Sequence, residues 1–270
     1  MQELNEKASL LRQEVVRMVA EAGSGHPGGS LSSADIVAAL YFQVMNHRPD
    51  DPKWPERDRF ILSKGHCAPV MYAALAHSGY FPLCDLLNLR KIDCHLQGHP
   101  DMNKTPGVEI SSGSLGQGLS TAVGVALSMR LDGLPGHVFV LTGDGESQEG
   151  EIWEAVMAAA HFGLDNITVI VDANGLQIDG FTKDVMNVEP LSDKYESFGW
   201  TARTVDGHDM AAVVDALEWS RGVAGPAAIV ARTVKGKGVS FMENEAGWHG
   251  KAPSVEEAAR ALRELRGEEE

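Results

Sequence analysis

The chain has 270 residues, 43% of them hydrophobic and 23% charged, which is the composition of a globular protein with a sizeable core. Its net charge of −15 argues against nucleic acid or an anionic membrane surface as a partner. No apolar run approaches the roughly 20 residues of a membrane span, and the charged start is unlike a signal peptide. The 3 cysteines lack CxxC spacing, as in proteins of reducing compartments. We therefore expect a cytoplasmic protein without a membrane partner.

The first fifty residues predict two helices separated by a flexible loop. Residues 3–22 fit an amphipathic helix, with apolar side chains recurring on one face. A loop rich in glycine and proline follows at 23–30. Ser32 or Ser33 could then cap the N-terminus of a second helix over 34–45.

Strands and helices alternate through the rest of the chain. The segment 58–79 predicts a short strand, a loop and a helix, and 107–131 repeats that order. Further strands are predicted at 138–142, 167–172, 201–205 and 227–233, and further helices at 149–163 and 209–220. This alternation predicts an α/β fold with a mostly parallel central sheet and helices on both faces. We expect one domain over 1–270, with an acidic tail at 267–270.

The predicted strands end in glycine-rich loops, where ligands bind in sheets of this kind. Asp144 stands between two glycines after one strand, and Asn174 follows the next strand. A carboxylate, an amide oxygen and a nearby backbone carbonyl suit Mg²⁺, which completes its shell with phosphates and water. A tight turn capped by Asp144 is the alternative, but Asn174 at the second strand end favours a metal-bridged diphosphate. As a loop residue, Asp144 is expected to be partly exposed.

Two other phosphate-binding patterns fit the sequence badly. The chain has no G-x-x-x-x-G-K-[ST] motif. Residues 113–118 read GSLGQG, which is the dinucleotide fingerprint with its spacing reversed. No acidic residue ends a strand at the distance that a dinucleotide site requires. These patterns therefore do not predict a nucleoside triphosphate or a dinucleotide.

Four of the 10 histidines lie in glycine-bearing loops at predicted strand ends: His26, His66, His99 and His249. A single such histidine is more often structural. Four at one sheet edge favour a polar site that handles protons near neutral pH. A zinc site is the rival interpretation, since Cys94, His95 and His99 are close in sequence. That interpretation lacks a second close-spaced pair to complete four ligands.

Taken together, these loops resemble a known family. Gly-Asp-Gly followed after one crossover by Asn174 is similar to the thiamine-diphosphate motif. The segments SGHPGGSLS, FILSKGHCAPVMYAAL, GSLGQGLS, GDGESQEGEIWEA, NGLQIDG and WHGKAP resemble transketolase, in the family's order, from about residue 10 to 253. Other thiamine-diphosphate enzymes share Gly-Asp-Gly but not the histidine loops. The resemblance implies the thiamine-diphosphate-binding fold.

The resemblance also implies a cofactor and a metal. Asp144, Asn174 and the backbone carbonyl of Leu176 would hold the divalent cation, which is Mg²⁺ or else Ca²⁺ or Mn²⁺. Gly145 and His66 would contact the diphosphate of thiamine diphosphate. These expectations agree with the oxygen ligands inferred from the residues alone.

Further residues are assigned by the same resemblance to the rest of the site. One loop would lie along the middle of the cofactor, formed by Gly113, Ser114 and Leu115. His26, His99 and His249 would line the sugar channel as catalytic residues, with His249 also close to the cofactor. Glu149 would lie near a subunit interface.

The implied reaction is the reversible transfer of a two-carbon ketol unit, a glycolaldehyde unit, from a ketose phosphate to an aldose phosphate, as in the pentose phosphate pathway. Full-length transketolases continue into pyrimidine-binding and C-terminal domains, which this sequence lacks. It therefore resembles the N-terminal subunit of a split transketolase, with a separate C-terminal subunit in an expected α₂β₂ assembly. The small, weakly charged helices 113–131 and 149–163 would leave at least one apolar face for that interface.

Two alternatives stay open. One is a split enzyme of the same family that acts on an unusual sugar, either sulfonated or branched. The other is a thiamine-diphosphate-binding module without turnover, against which the intact set of four histidines argues. The sequence cannot separate the two sugar classes, since the groups that bind the sugar phosphate would lie outside this chain.

Overall fold

The central sheet has five parallel strands in the order β1-β2-β3-β7-β6, and β4 pairs with β5 in a separate antiparallel hairpin. The structure is a computed structural model and describes residues 1–268. The strands are β1 (Arg59–Leu62), β2 (Val138–Gly143), β3 (Ile167–Ala173), β4 (Leu176–Gln177), β5 (Gly180–Phe181), β6 (Thr201–Asp206) and β7 (Ala227–Arg232). The parallel sheet agrees with the prediction.

Helices cover both faces of the sheet. They are α1 (Gln2–Ala22), α2 (Pro27–Ser32), α3 (Ala34–Ala39), α4 (Ala68–Ser78), α5 (Gln117–Leu131), α6 (Gly150–His161), α7 (Thr182–Val185), α8 (Leu191–Ser197), α9 (Met210–Ser220) and α10 (Val255–Arg266). A π-helical turn, Leu40–Val44, continues α3, and short 3₁₀ segments lie at Gly65–Cys67, Leu83–Asn88, Gly145–Gln148 and Ala246–Trp248.

Two hydrophobic cores flank the sheet because successive strand side chains point to opposite faces. On β2, Phe139 faces the core with α1, α3, α4 and α9, whereas Val140 faces the core with α5, α6 and α8. The central strand β3 is buried along its whole length, as expected of a strand covered on both sides. The α/β prediction, with helices on both faces, is confirmed.

One predicted strand does not form. The chain at 107–111 is irregular, with a turn at Gly107 and a bend at Ile110, although it alternates apolar and polar residues. Gly107 has a φ of 83°, and a Cβ there would lie 2.5 Å from the side chain of Leu75. The Val108 N–H donates to the Thr105 carbonyl within a turn, and not to a neighbouring strand. The strand predicted at the start of the segment 107–131 was wrong, while the helix predicted after it was right.

The predicted serine cap was right in position, since Ser33 is the N-cap residue of α3, but the expected side-chain capping bond does not form. The preceding turn is already helical as α2, and Ser33 makes no side-chain capping bond to α3. Its hydroxyl donates instead to the Gly29 carbonyl and accepts from Lys64. At the other end, α10 stops before Gly267, whose φ of 68° suits a glycine C-cap. Of the predicted tail 267–270, the last two residues lie outside the described residues.

Among residues 1–268, no helix is both long and apolar enough to cross a membrane. The single-domain expectation stays a prediction.

Candidate cofactor site

A cavity of about 320 Å³ opens at the carboxyl ends of β1, β2, β3 and β7. Most of the residues predicted for the site line this cavity, namely His26, His66, Gly113, Leu115, Asp144, Gly145, Asn174, Leu176 and His249. Glu149, expected near an interface, lines it as well. Ser114 and His99 do not: Ser114 is exposed in the loop between two lining residues, and His99 lies behind that loop. The parallel sheet thus brings distant loops to one edge.

Asp144 is buried, with 4% of its surface exposed, which corrects the expectation of a partly exposed carboxylate. Its two oxygens accept from the backbone N–H groups of Gly145 (2.8 Å) and Gly175 (2.6 Å). Burial, followed by repulsion from Asp172, raises its pKa to about 6 despite these hydrogen bonds. A buried carboxylate that resists ionisation gains from a nearby cation. Asp144 is therefore suited to a metal ion.

The other two predicted metal ligands adjoin Asp144 in the same cavity. The Asn174 side chain accepts through Oδ1 from the Leu176 N–H (3.1 Å) and donates through Nδ2 to Asp172 (2.9 Å). The carbonyl of Leu176 accepts from the ammonium group of Lys235 at 3.2 Å. A carboxylate, an amide oxygen and a carbonyl are hard donors, so the residues present fit a cation such as Mg²⁺.

The four predicted histidines form one cluster. The ring centroid of His26 lies 5.2 Å from that of His66, 5.5 Å from that of His249 and 6.3 Å from that of His99. Burial, helped by neighbouring cationic groups, lowers the pKa of His26 and His66 to about 4 and that of His249 to about 3. Burial also lowers the pKa of His99. Around neutral pH these rings are uncharged, and each can donate one hydrogen bond and accept another.

Two features of the cluster point toward a ligand. Within residues 1–268, the buried Nδ1 of His26 has no hydrogen-bond partner. Gly113 has a φ of 139°, and a Cβ there would lie 2.7 Å from the ring of His99. Only glycine lets this backbone lie so close to the histidine. The loop is therefore free to present backbone groups rather than side chains to the cavity.

Sequence reasoning missed two buried lysines in this cavity. Lys64, 2% exposed, donates to the Gly29 carbonyl (3.1 Å), to Ser33 and to the carboxylate of Asp172. Burial disfavours its ammonium, but Asp172 outweighs that effect and raises the pKa. Lys235 bonds the Leu176 carbonyl and His249 Nδ1 (2.9 Å), and burial lowers its pKa. Lys64 was visible in the quoted SKGH segment, and Lys235 follows β7 at the same sheet edge.

Glu146 is a third missed residue. It is 3% exposed and accepts from the Ser63 hydroxyl, the Gly116 N–H (2.9 Å) and the Gly143 N–H (3.0 Å). Burial raises its pKa although these bonds oppose the shift. One carboxylate thereby joins the end of β1, the glycine loop before α5 and the end of β2. Glu146 fixes the wall of the cavity that Gly113 and Leu115 form.

The rival zinc site is wrong. Among the described residues, no three histidine, cysteine, aspartate or glutamate side chains are placed to hold a metal ion together. His95 instead pairs with Asp85 at 3.1 Å, and the sulfur of Cys94 accepts from the Leu96 N–H. His99 lies against Gly113.

The helices expected to carry an interface, α5 and α6, pack against each other and against the sheet. Apolar side chains of this pair and its flanks remain exposed at Leu131, Met157 and Phe162. Part of the predicted apolar surface is therefore core, and the interface stays a prediction.

Comparison with known proteins agrees with this geometry. A family model described as "Transketolase, thiamine diphosphate binding domain" matches residues 4–269. The chain belongs to the transketolase family. It is 43% identical over 267 residues to the 6-deoxy-6-sulfo-D-fructose transketolase subunit of Clostridium sp., covering 98% of this chain and 97% of that protein. It is 44% identical to an apulose-4-phosphate transketolase subunit of Actinobacillus succinogenes, with the same coverage.

Solved transketolases share the fold. The crystal structure of transketolase from Campylobacter jejuni superposes with a TM-score of 0.93 at 35% identity. The match covers 98% of this chain but 43% of the Campylobacter chain. The present chain therefore corresponds to the thiamine-diphosphate-binding domain of the larger transketolases. It spans nearly the full length, 97%, of the two relatives that are described as subunits.

Proposed function

We propose that the chain is the diphosphate- and metal-binding subunit of a two-chain transketolase, which transfers a two-carbon ketol unit from a ketose phosphate to an aldose phosphate. One observation carries the proposal: a single cavity combines three hard oxygen donors around Asp144 with a cluster of uncharged histidines. The oxygen donors suit a metal-bridged diphosphate, and the histidines suit a polyhydroxy substrate.

In this proposal Asp144, Asn174 and the Leu176 carbonyl hold a divalent cation, with Mg²⁺ as the first choice over Ca²⁺ and Mn²⁺. Lys235 and His66 contribute donors toward the diphosphate, since both line the cavity that holds these oxygen donors. Thiamine diphosphate, when bound, supplies the electron sink for the two-carbon unit. The chain's own contribution is to bind the charged end of the cofactor and to fix its direction.

The histidines act on the sugar. His26, His99 and His249 would hold hydroxyl groups of the substrate and move protons to and from them. Their lowered pKa values keep the rings uncharged at neutral pH, so that each has one donor and one acceptor nitrogen. In His249 the acceptor Nδ1 already bonds Lys235, which leaves Nε2 for the substrate. A protonated cluster could only donate hydrogen bonds. The low pKa values therefore fit proton exchange with an uncharged sugar hydroxyl.

A partner subunit belongs to the same proposal. Relatives covered to 97% of their length are described as subunits, whereas the chain covers 43% of the Campylobacter enzyme. The partner would supply the pyrimidine-binding and C-terminal domains, in an α₂β₂ assembly in the cytoplasm. The exposed side chains Leu131, Met157 and Phe162 offer part of the contact surface.

A second candidate differs in the sugar. The two subunit relatives described above are named for 6-deoxy-6-sulfo-D-fructose and for apulose 4-phosphate, one a sulfonated and one a branched sugar. A split enzyme for such a substrate is therefore the alternative to pentose phosphate pathway activity. The histidine cluster suits all of these sugars equally, because it would meet the hydroxyls that they share.

The test is co-purification of the chain with the product of a neighbouring gene that encodes the other transketolase domains. Two-carbon transfer is then assayed with thiamine diphosphate and Mg²⁺. Fructose 6-phosphate, 6-deoxy-6-sulfofructose and apulose 4-phosphate serve as parallel donors. We expect transfer only from the mixture, with one donor preferred. Full activity of the chain alone would refute the split enzyme. Cofactor binding without transfer from any donor would favour a non-catalytic module.

A further inference from the structure

Directly beneath the proposed metal site lies a carboxylate that sequence reasoning overlooked. Asp172, near the end of β3, is completely buried, and its backbone carbonyl accepts from the Asp144 N–H at 3.3 Å. Its side chain accepts hydrogen bonds from four side chains, Ser32, Lys64, Asn174 and Thr233, and the Ser33 hydroxyl lies 3.4 Å from it. A buried carboxylate persists only when it is paired and hydrogen-bonded, and Asp172 is both.

The bond to Asn174 decides which way that amide faces. An asparagine side chain has an acceptor end and a donor end of nearly the same shape. A carboxylate can only accept, so Asp172 selects the orientation in which Nδ2 points at itself, at 2.9 Å. The oxygen of Asn174 then faces the other way, toward the Leu176 N–H and the cavity. That oxygen is the atom proposed as a metal ligand.

The same carboxylate ties the walls of the cavity together. Lys64 comes from the loop after β1, Ser32 and Ser33 from the α2 region, and Thr233 follows β7. All of them meet at Asp172, which belongs to β3. A shift of any one segment would be transmitted to the carboxylate and from there to Asn174. The proposed metal ligand therefore rests on a support that four segments share.

We propose that Asp172 is a positioning residue, which presents the oxygen of Asn174 to the metal by fixing the orientation of its amide and by tying β3 to Lys64. The inference rests on the proposed function, since it concerns the same metal site. Partners of this kind around metal ligands hold ligand orientation, and their loss typically lowers metal affinity by about 10- to 100-fold. Asp172 itself does not touch the metal or the substrate.

The test compares Mg²⁺ with Ca²⁺, because Mg²⁺ demands near-ideal octahedral geometry whereas Ca²⁺ tolerates irregular sites. Each cation is titrated calorimetrically into the complex of the chain with its partner subunit at saturating thiamine diphosphate. We expect Asp172→Asn to raise the half-saturating Mg²⁺ concentration by about 10- to 100-fold, and that of Ca²⁺ by about threefold or less. Its amide can donate to Asn174 or accept from it, so the orientation is no longer selected.

The matched control is Thr233→Val, which removes one bond to Asp172 and leaves Asn174 and Lys64 in place. We expect both half-saturating concentrations to stay within about twofold of wild type. That change in metal affinity is smaller than the change expected when a positioning residue is lost. If Asp172→Asn leaves Lys64 unpaired and the chain does not fold, Lys64→Met/Asp172→Asn removes both buried charges and is measured instead.

The outcomes separate the two proposals. If wild type binds Mg²⁺ and the variant binds both cations as wild type does, the positioning role is overturned and the proposed function stands. Equal weakening of Mg²⁺ binding and Ca²⁺ binding would also overturn the positioning role. A lost positioning contact should weaken Mg²⁺ binding more, because Mg²⁺ demands stricter ligand geometry than Ca²⁺. If the wild-type complex shows no metal-dependent binding of thiamine diphosphate, the proposed function fails, and the inference fails with it.

Discussion

The two ends of the parallel sheet both bury titratable groups, but they treat them differently. At the amino end, Asp58 pairs with Arg221 and accepts from the backbone N–H groups of Asn46 (2.7 Å) and His137 (2.8 Å). His137 in turn bonds the Thr168 hydroxyl at 2.7 Å. At the carboxyl end, Asp144 has a raised pKa and no lysine or arginine among its hydrogen-bond partners in the described chain.

The difference shows that burial alone does not mark a functional site. The amino-end network is satisfied within the protein, so it stabilises the fold and needs no ligand. At the carboxyl end, burial raises the pKa of Asp144, and within residues 1–268 the Nδ1 atom of His26 has no hydrogen-bond partner. Perturbed groups gathered in a cavity are what a binding or catalytic site requires. Substitutions at matched positions of the two ends can test this contrast.

The largest contrast is expected between Asp144→Asn and Asp58→Asn. We expect Asp144→Asn to weaken Mg²⁺-dependent binding of thiamine diphosphate more than about 100-fold, because loss of a direct ligand exceeds the loss of its supporting residues. It should not lower the free energy of unfolding. The folded pKa of Asp144, about 6, lies above the ordinary value of 3.8, so its ionised form opposes folding at pH 7.

Asp58→Asn should do the opposite. Asp58 is buried but Arg221 is 30% exposed, so removing this charge-assisted hydrogen bond costs about 2 kcal/mol of unfolding free energy, and cofactor affinity should stay unchanged. Calorimetry and urea unfolding measure the two properties separately. If Asp144→Asn destabilises the chain as much as Asp58→Asn does, the carboxyl-end carboxylate stabilises the fold as the amino-end carboxylate does, and the contrast between the two ends is wrong.

The next effect concerns Lys235, whose ammonium group bonds the Leu176 carbonyl and His249. We expect Lys235→Met to weaken binding of thiamine diphosphate by about 10- to 100-fold, the value of one to two charge-assisted hydrogen bonds. Since burial lowers the pKa of Lys235, losing its charge should not destabilise the empty chain. Calorimetry at two salt concentrations shows whether the lost affinity is electrostatic, as expected of a bond from an ammonium group to the diphosphate. Affinity equal to that of wild type would show that Lys235 does not contact the diphosphate.

A pH effect of intermediate size is expected from His137 at the amino end. Burial lowers the folded pKa of His137 to about 4, against an ordinary value of 6.5, and the residue is 5% exposed. Below pH 6.5 the unfolded chain therefore binds a proton that the folded chain does not, and stability is lost as the pH falls toward 4. At pH 5 this amounts to about 2 kcal/mol for His137.

Urea unfolding at pH 7 and pH 5 measures that loss. We expect His137→Gln to reduce the difference between the two pH values, because glutamine does not titrate. Replacing the less buried His99 in the same way should reduce it by a smaller amount. If His137→Gln leaves the pH dependence as in wild type, the ring is already protonated in the folded protein at pH 5.

The sheet and most of the residues that line the cavity could be predicted from the sequence. Apolar runs such as 138–142 predict strands because a buried parallel strand needs them, and loops that follow parallel strands must meet at one edge. Asp144, Asn174 and the histidines were predicted for that reason. The strand expected at 107–111 failed because alternation of apolar and polar residues is also compatible with a turn that packs Val108 inward.

The polar layer beneath the site could not be predicted. Lys64 and Asp172 are 108 positions apart, and no local pattern pairs them. Ser33 was read as a helix cap because serine favours that position, whereas tertiary contacts with Lys64 and Gly29 decide its role. Asp172 ends an apolar run and looks like an ordinary strand end. Its proposed positioning role depends on the hydrogen-bond donors that surround it in the folded chain.

The smallest expected effect distinguishes two histidines of the cluster by their positions. His66 lines the cavity, whereas His99 lies behind Gly113 on the side of the proposed sugar channel. We expect His66→Ala to weaken thiamine diphosphate binding by about threefold to tenfold, the value of one neutral hydrogen bond. His99→Ala should leave that affinity unchanged and lower kcat of the assembled enzyme by a similar factor, because it would lose a contact to a substrate hydroxyl. Calorimetry on the chain and steady-state kinetics on the complex give the two numbers. If His99→Ala changes neither kcat nor KM, the residue serves only to support the Gly113 loop, and the sugar channel lies elsewhere along the cluster.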